Sequence, residues 1–231
     1  MNRSGVYIDK QAVPLFLSED NAMTSPVTRQ HLSDRLTEAT LRHAQPHDSA
    51  RILAFQAAAL RIHAKHDYNR DLIDRYIAES GTMPRDMLSE GRFFVLEYHG
   101  DIIATGGWRW RTNDASPANG LEMNEPGAIG PLEGTYAEIA ALYVDPFFAR
   151  VGLASWLLDT LEADIRRTGL TEVRIAATLT ALPLCQKSGY RPFRLILISL
   201  TDGSEFQTIA LAKSLTRATR TKPMEAQALA I

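Results

Sequence analysis

The sequence contains very little cysteine, since Cys185 is the only one among 231 residues. A single thiol excludes an internal disulfide framework and a cysteine-cluster metal site, and it is compatible with a reducing compartment. The formal net charge is also small, −2 at pH 7. No strong overall field therefore attracts the chain to nucleic acid or to a membrane surface, and we expect neither as a partner.

Long apolar runs are missing as well, because no segment approaches the about 18 consecutive apolar residues that a membrane helix needs. The apolar stretch at residues 12–17 contains Pro14 and is followed by two acidic residues, so it does not predict a signal peptide. We expect a cytoplasmic protein. His63 and His66 share a helix face without a third metal ligand, and we interpret them as solvated residues of a protein without a metal site.

Hydrophobic periodicity divides the chain into three parts. Residues 1–38 show no sustained period and predict a mobile N-terminal extension, with a substrate or dimer arm as the alternative. Residues 39–211 predict one folded domain. Residues 212–231 carry four basic residues against one acidic residue and predict a solvated, partly disordered basic tail.

The central part alternates between strand-like and helix-like patterns, which predicts a single α/β domain with a mixed, strongly twisted sheet flanked by helices. The predicted elements are a strand at 40–44, helices from Arg51 and around 72–77, strands at 93–98, 102–111 and 137–144, a helix at 152–168, a strand at 172–177, a short helix at 181–188, and a hairpin of 194–200 and 205–211. Residues 112–134 predict a long loop. The first helix is expected to bury Ile52, Phe55, Ala59 and Ile62.

The predicted strand at 102–111 contains two notable patterns. Gly106-Gly107 interrupts it, which indicates a bulge or a close backbone approach. Alternation places two tryptophans, 108 and 110, on one face and Arg109 with Arg111 on the other. The tryptophans could wall an acceptor pocket, or belong to the core or a dimer contact.

The segment that follows the predicted strand 137–144 carries the clearest chemical signal. The first turn of a helix leaves backbone N–H groups unpaired, and the helix dipole adds positive potential there. Gly152 and Ala154 carry almost no side chain, so an anion can approach the backbone, and Arg150 can add a charge-assisted bond. This predicts a pyrophosphate cradle, although close helix packing would explain the turn if nothing else matched. It is neither a Walker loop nor a dinucleotide fingerprint, since one glycine lies in the turn.

The order and spacing of these segments, roughly residues 40–211, resemble the GNAT acetyltransferases. The cradle of that family reads Gln/Arg-x-x-Gly-x-Gly/Ala. Gly152 and Ala154 fill its fourth and sixth positions, whereas Ala149 stands where Gln or Arg is usual. Residues 137–144 look like the family's pantetheine-binding strand, and residues 177–190 look like its closing strand-to-helix segment.

The resemblance implies that acetyl-CoA binds where the pantetheine strand separates from the next strand. A backbone N–H near Ala141–Leu142 would polarise the thioester carbonyl, and the amine would attack directly in a ternary complex. The cofactor contacts expected on this basis are Leu142, Tyr143, Val144, Arg150, Val151, Gly152, Leu153, Ala154, Ser155 and Thr180.

Glu138 is the expected base that deprotonates the amine. Alternation puts it on one face with Ala140, Leu142 and Val144, and desolvation in an apolar strand would make it a better proton acceptor. Several family members carry a catalytic Glu in a similar context. The alternative is a structural ion pair with an arginine, and both interpretations stay open.

Cys185 is a weak candidate for the acid that protonates the departing thiolate. The family often uses a tyrosine four residues before a Gly-Phe/Tyr pair, which here is Gly189-Tyr190. A small buried apolar residue is the favoured interpretation of Cys185, and Tyr143 and Tyr190 are expected to be core residues.

The sequence thus predicts an N-acetyltransferase that uses acetyl-CoA and no metal, acts on a primary amine of a small molecule or peptide, and forms a homodimer. One alternative is an acyl-CoA-binding sensor of the same fold with catalysis lost. Another is an acyltransferase for a longer acyl chain or a hydroxyl acceptor.

Overall fold

The computed structural model describes residues 38–84, 86–89, 92–112, 120–122 and 134–215. The predicted N-terminal extension, most of the long loop and most of the basic tail lie outside these ranges. Within them, no helix is both long and apolar enough to cross a membrane.

In the described ranges, eight strands form one mixed sheet, in the lateral order β1-β2-β3-β5-β6-β8-β7-β4. The strands are β1 (Thr40–His43), β2 (Phe93–Tyr98), β3 (Asp101–Thr112), β4 (Gly120–Glu122), β5 (Thr135–Val144), β6 (Glu172–Thr178), β7 (Arg191–Ser199) and β8 (Glu205–Ser214). Neighbours are antiparallel except β5 and β6, which are parallel. The predicted mixed α/β domain is confirmed. The strand β4 and the end of β8 differ from the prediction, since β4 lies in the expected loop and β8 continues beyond residue 211.

Helices cover both faces of the sheet. They are α1 (Ser49–His63), α2 (Arg70–Glu79), α3 (Asp86–Ser89), α4 (Leu153–Arg167) and α5 (Leu182–Lys187). Helices α4 and α5 pack on the face that carries Ala137 and Ile139, whereas α1, α2 and α3 cover the opposite face. Leu157, Leu158 and Leu161 of α4 are fully buried, and each contributes about 1.5–3 kcal/mol relative to an exposed side chain.

Helix α1 buries a different stripe from the predicted one. Ile52 and Ala59 are buried as expected, but Ile62 is 50% exposed, and the fully buried residues include Gln56. At about 100° per residue, Ile62 lies about 80° around the helix axis from Ile52. Gln56 and Leu60 lie about 40° and about 80° from Ile52 on the opposite side, so the buried stripe is centred on that side and leaves Ile62 outside it.

Both of the features that the sequence indicated as alternatives occur at the Gly106-Gly107 pair. The register between β3 and β5 shifts between Thr105 and Gly107, which is a bulge. A Cβ on Gly107 would lie 2.5 Å from Phe93 Cδ2 and 2.9 Å from the carbonyl oxygen of Arg92. The backbone of β3 can make this close approach to residues 92–93 only because position 107 has no side chain.

Substitution of Gly107 by alanine should destabilise the fold, because the new methyl group would meet backbone atoms that cannot move aside. We expect a loss of about 1–3 kcal/mol in the free energy of unfolding, measured by denaturant titration. Gly106→Ala is the matched control, since its Cβ would meet the ends of leucine side chains at 3.1 Å or more. A loss in Gly107→Ala no larger than that in Gly106→Ala would contradict this account.

Candidate active site

A gap opens in the sheet where β5 and β6 diverge. The parallel ladder between them covers only Ala137–Ile139 against Val173–Ile175. Both strands continue toward their carboxyl ends, β5 to Val144 and β6 to Thr178. The outward backbone groups of β5 beyond Ile139 therefore face the gap without a partner strand. Openings at the carboxyl ends of parallel strands are common ligand sites in α/β proteins.

A bulge in β5 marks the point of divergence. Thr105 of β3 is opposite Tyr143 and Gly107 is opposite Ala140, so two residues, Ala141 and Leu142, share one position opposite Gly106. Ala141 has a φ of 56°, in the left-handed region that costs a non-glycine residue on the order of 1–3 kcal/mol. The hydroxyl of Thr105 donates to the Ala141 carbonyl oxygen at 3.0 Å.

The bulge also corrects the expected alternation along β5. Ala140 packs with the cluster under α1 and α3, as expected for the Glu138 face. Leu142 instead packs with the opposite cluster, which contains Ala137 and Ile139, and so does Val144. The prediction that Glu138 shares a face with Leu142 and Val144 was wrong, because one extra residue in a strand reverses the facing of every residue after it.

The turn between β5 and α4 lies at the same edge as the gap. Asp145 caps a short 3-10 helix, Pro146–Phe148, by accepting from Phe147 N–H at 2.7 Å. Arg150 and Gly152 both have positive φ, 62° and 88°. Gly152 is the N-cap of α4, and its carbonyl accepts the first helical hydrogen bond, from Trp156 N–H.

The N–H groups of the first helical turn, residues 153–155, precede that first bond and have no acceptor within α4. They lie beside a residue with positive φ and at the positive end of a helix of 15 residues, a backbone arrangement that suits an anion. The predicted cradle residues Val151, Gly152, Leu153, Ala154 and Ser155 are thus brought together at one edge of the sheet. Arg150 is exposed there, beside the same turn.

Glu138 lies in a cluster of four charged side chains on the face of the sheet that α3 covers. Its Oε2 atom accepts from Arg109 Nε at 2.6 Å and lies 3.1 Å from Arg111 Nε. Arg109 also donates to both carboxylate oxygens of Asp86, at 2.7 and 2.8 Å. The side chain of Glu138 is 26% exposed and that of Arg109 is 13% exposed. Both interpretations of Glu138 therefore have a structural counterpart: the carboxylate has arginine partners, and it is also accessible to solvent.

The charges in this cluster stabilise one another. Burial opposes ionisation of Asp86, but the hydrogen bonds from Arg109 together with the charges of Arg109 and Arg111 hold the pKa of Asp86 below its ordinary value. Burial alone would also lower the pKa of Arg109, yet the hydrogen bonds to Glu138 and Asp86 raise it. Arg109 therefore stays charged between two carboxylates.

The sequence profile of the Acetyltransferase (GNAT) family matches residues 53–190, more than half of the chain. This chain belongs to the GNAT acetyltransferase family. Membership supports acetyl transfer in general and the binding of an acyl-CoA. The matched range contains the diverging strands, the bulge, the cradle and Cys185.

Solved GNAT structures share this fold. A GCN5-related N-acetyltransferase from Rhodopseudomonas palustris is 18% identical, with a TM-score of 0.55 over 76% of this chain and 94% of that one. A GNAT acetyltransferase from Streptococcus agalactiae 2603 is 17% identical, with a TM-score of 0.55 over 78% and 96%. The PaiA N-acetyltransferase from Thermoplasma acidophilum, solved with coenzyme A, is 15% identical, with a TM-score of 0.52 over 76% and 98%. At these identities the likeness shows the fold alone. No curated protein gives a significant match.

The gap and the cradle of this GNAT domain have backbone groups that suit two parts of an acyl-CoA. Unpaired strand groups suit the amides of a pantetheine arm, and the free N–H groups of α4 suit a pyrophosphate. Val144 was expected to contact the cofactor, but its carbonyl already accepts a hydrogen bond from His63 Nε2 at 2.9 Å. Thr180, in the turn after β6, donates its hydroxyl to Asp67.

His63 was misinterpreted from the sequence as a solvated residue. It is half-buried, and its side chain connects the end of α1 to the end of β5. Because a carbonyl can only accept, Nε2 must carry the proton in this contact. The only sequence signal was a histidine near the end of an amphipathic helix. Within the described part of the chain, no three His, Cys, Asp or Glu side chains lie close enough to hold a metal ion.

The tryptophans lie on the face opposite Glu138. Trp108 is 1% exposed, belongs to the core cluster under α4, and donates its indole N–H to Asp164 of that helix at 2.8 Å. Trp110 is 38% exposed, and its ring centroid lies 5.5 Å from that of Trp108. This placement favours the core interpretation of Trp108 over an acceptor pocket shared with Glu138.

Cys185 lies in the core cluster that α4 and α5 form with the sheet. It is fully buried on α5, among residues that pack against α4. Burial raises the pKa of its thiol to about 12, whereas an ordinary thiol titrates at about 8.5. A thiol that holds its proton this strongly is a poor acid for a departing thiolate. Burial likewise raises the pKa of Tyr143 and of Tyr190, so the geometry favours core roles for all three.

Labelling of the single thiol tests this placement. Dithionitrobenzoate at pH 8 should modify Cys185 at least about 100-fold more slowly in the native protein than in denaturant, because the thiolate is the reactive form and burial suppresses it. Release of the thionitrobenzoate chromophore measures both rates, and a free thiol compound is the reference. A native rate close to that of the free thiol would contradict the burial of Cys185.

Proposed function

We propose that this GNAT domain transfers an acetyl group from acetyl-CoA to a primary amine by direct attack, without an acyl-enzyme. The observation that carries the proposal is the divergence of β5 from β6 beyond Ile139, with the free N–H groups of α4 at the same edge. One side of this site suits the acyl donor. The acceptor amine binds on the opposite face of the sheet, where α1 and α3 pack and where Glu138 is partly exposed.

The amine needs a base, and Glu138 is the carboxylate that β5 offers. A strand rises about 3.3 Å per residue, so Glu138 lies about 10 Å along β5 from the bulge at Ala141. This distance exceeds direct hydrogen-bond reach, and we infer that the proton passes to Glu138 through water. Its contacts with the two arginines involve Oε2, and they fix the position of that oxygen during the transfer.

The thiolate of CoA leaves without a proton from Cys185, since the buried thiol holds its own. Acceptance of the proton from water is adequate for a leaving group with a pKa of about 8.5. The homodimer, the cytoplasmic location, and a small-molecule or peptide amine as the acceptor remain parts of this proposal. A panel of amines, with thiol release as the readout, separates the transferase from a sensor that binds acetyl-CoA without turnover.

A negative charge introduced at the cradle by substitution tests whether the cofactor binds there. Acetyl-CoA should raise the melting temperature of the wild type by mass action, and Gly152→Asp should abolish the shift by repelling the pyrophosphate. Gly152→Asn is the matched control, because asparagine has the same shape and tolerates positive φ equally well. Its added bulk should reduce the shift, but the shift should stay larger than in Gly152→Asp, because asparagine carries no charge. A wild-type shift in Gly152→Asp would contradict the assignment of the cradle.

Removal of the Glu138 carboxylate tests the base. Glu138→Gln should lower kcat by about 10²–10⁴-fold and remove the acidic limb of the pH–rate profile. Arg109 keeps Asp86 as a partner in this variant, so the fold should persist.

Asp86→Asn is the control for Glu138→Gln, since it removes the other carboxylate that Arg109 binds. We expect its kcat to stay within about tenfold of the wild type. Equal kcat values for the two variants, with the acidic limb intact in both, would show that Glu138 is structural.

A further inference from the structure

A chain of buried hydrogen bonds runs from the loop after α2 to the bulge in β5. The hydroxyl of Thr82 donates to Gln56 Oε1 at 2.8 Å, and Gln56 Nε2 donates to the hydroxyl of Thr105 at 3.1 Å. The hydroxyl of Thr105 then donates to the carbonyl oxygen of Ala141 at 3.0 Å. Gln56 and Thr105 are fully buried, and Thr82 is 7% exposed. We call these three side chains the bulge relay.

Each hydrogen bond in the bulge relay has a defined donor and a defined acceptor. If the amide of Gln56 were reversed, its oxygen would face Thr105, whose hydroxyl would then donate to Gln56 and no longer to Ala141. The arrangement observed is the one in which the relay ends on the carbonyl of the bulge. A buried glutamine on the apolar stripe of α1 is costly unless its amide is paired, which makes this connection a specific feature of the chain.

The hydrogen bond from Thr105 to the carbonyl of Ala141 fixes the direction of the N–H of Leu142. The carbonyl of Ala141 and the N–H of Leu142 belong to one peptide group, and within the described residues no peptide bond is cis. In a planar trans peptide the C=O and N–H bonds point in opposite directions. Because the hydroxyl of Thr105 holds the carbonyl and is itself bonded by Gln56 of α1, the N–H of Leu142 points away from the side of β5 that this hydroxyl and α1 occupy.

We propose that Thr105 and Gln56, with Thr82 behind them, are positioning residues that aim the N–H of Leu142 at the thioester carbonyl of the acyl donor. This inference rests on the proposed acetyl transfer. The relay itself does not touch the substrate. It holds the strained backbone of Ala141 in the one orientation that presents a donor where negative charge develops on the carbonyl oxygen.

The test compares Thr105→Val with Thr105→Ser. Valine keeps the shape of threonine but cannot donate to Ala141, so kcat should fall by about 10–100-fold while the KM for acetyl-CoA stays within about threefold. Serine keeps the hydroxyl and should retain kcat within about threefold. Thr208→Val is the matched control, because Thr208 is also a buried sheet threonine, and its hydroxyl has no hydrogen-bond partner in the described ranges.

An infrared measurement separates positioning from general damage. Acetyl-CoA labelled with ¹³C at the thioester carbonyl should show a lower stretching frequency when bound to the wild type, because a hydrogen bond polarises the carbonyl. Thr105→Val should lose most of this shift, and Thr208→Val should keep it. If Thr105→Val does not fold, as judged by its melting transition, Gln56→Met replaces it, since methionine fills the amide volume and removes the donor to Thr105.

The outcomes distinguish this inference from the proposed function. A wild type that neither binds acetyl-CoA nor releases thiol would overturn both. An active wild type whose carbonyl shift and kcat are the same in Thr105→Val and in Thr208→Val would overturn the bulge relay alone. Loss of the shift and of kcat in Thr105→Val, with rescue by serine, would support it.

Discussion

The interruption of β5 at Ala141 is the constraint on which the rest of the site depends. A regular strand would continue its ladder with β6 and leave no backbone group for a ligand. The positive φ of Ala141 ends that regularity, and three buried polar side chains from other segments hold it in place. The bulge also reverses the facing of Leu142 and Val144, so the apolar core and the gap are set by the same backbone feature.

The charged cluster at Glu138 illustrates how position and reactivity are coupled. Arg109 is mostly buried between two carboxylates, and an arginine in that setting is stabilised only while at least one carboxylate remains ionised. This fixes the orientation of Glu138 on the face opposite α4. Solvent exposure of the same carboxylate, about a quarter of its side chain, gives water a route to it. A carboxylate that is oriented but not sealed suits proton transfer through water.

Much of the fold was predictable because its signals are local. Helix α4 shows a clear apolar stripe, and the cradle is a run of consecutive residues whose backbone groups are exposed by the helix start itself. The Gly106-Gly107 pair indicated a bulge or a close approach, since glycine inside a strand commonly marks one or the other; the close approach occurs at Gly107, and the extra residue of the bulge lies on β5 opposite Gly106. Glu138 was conspicuous as a carboxylate in an apolar strand. The short strand β4 was missed because three residues in a loop carry no period.

The sequence by itself thus predicted most of the strands and helices in their order along the chain, the start of α4 after β5, and the resemblance to the family. Only the tertiary structure decided which residues meet across the sheet. Gln56 and Thr105 are 49 residues apart, Thr105 and Ala141 are 36 apart, and His63 and Val144 are 81 apart. The reversed facing of Leu142 likewise depends on how β3 and β5 pair. These contacts form only when the whole sheet assembles, and no local pattern of residue types predicts which distant residues will meet.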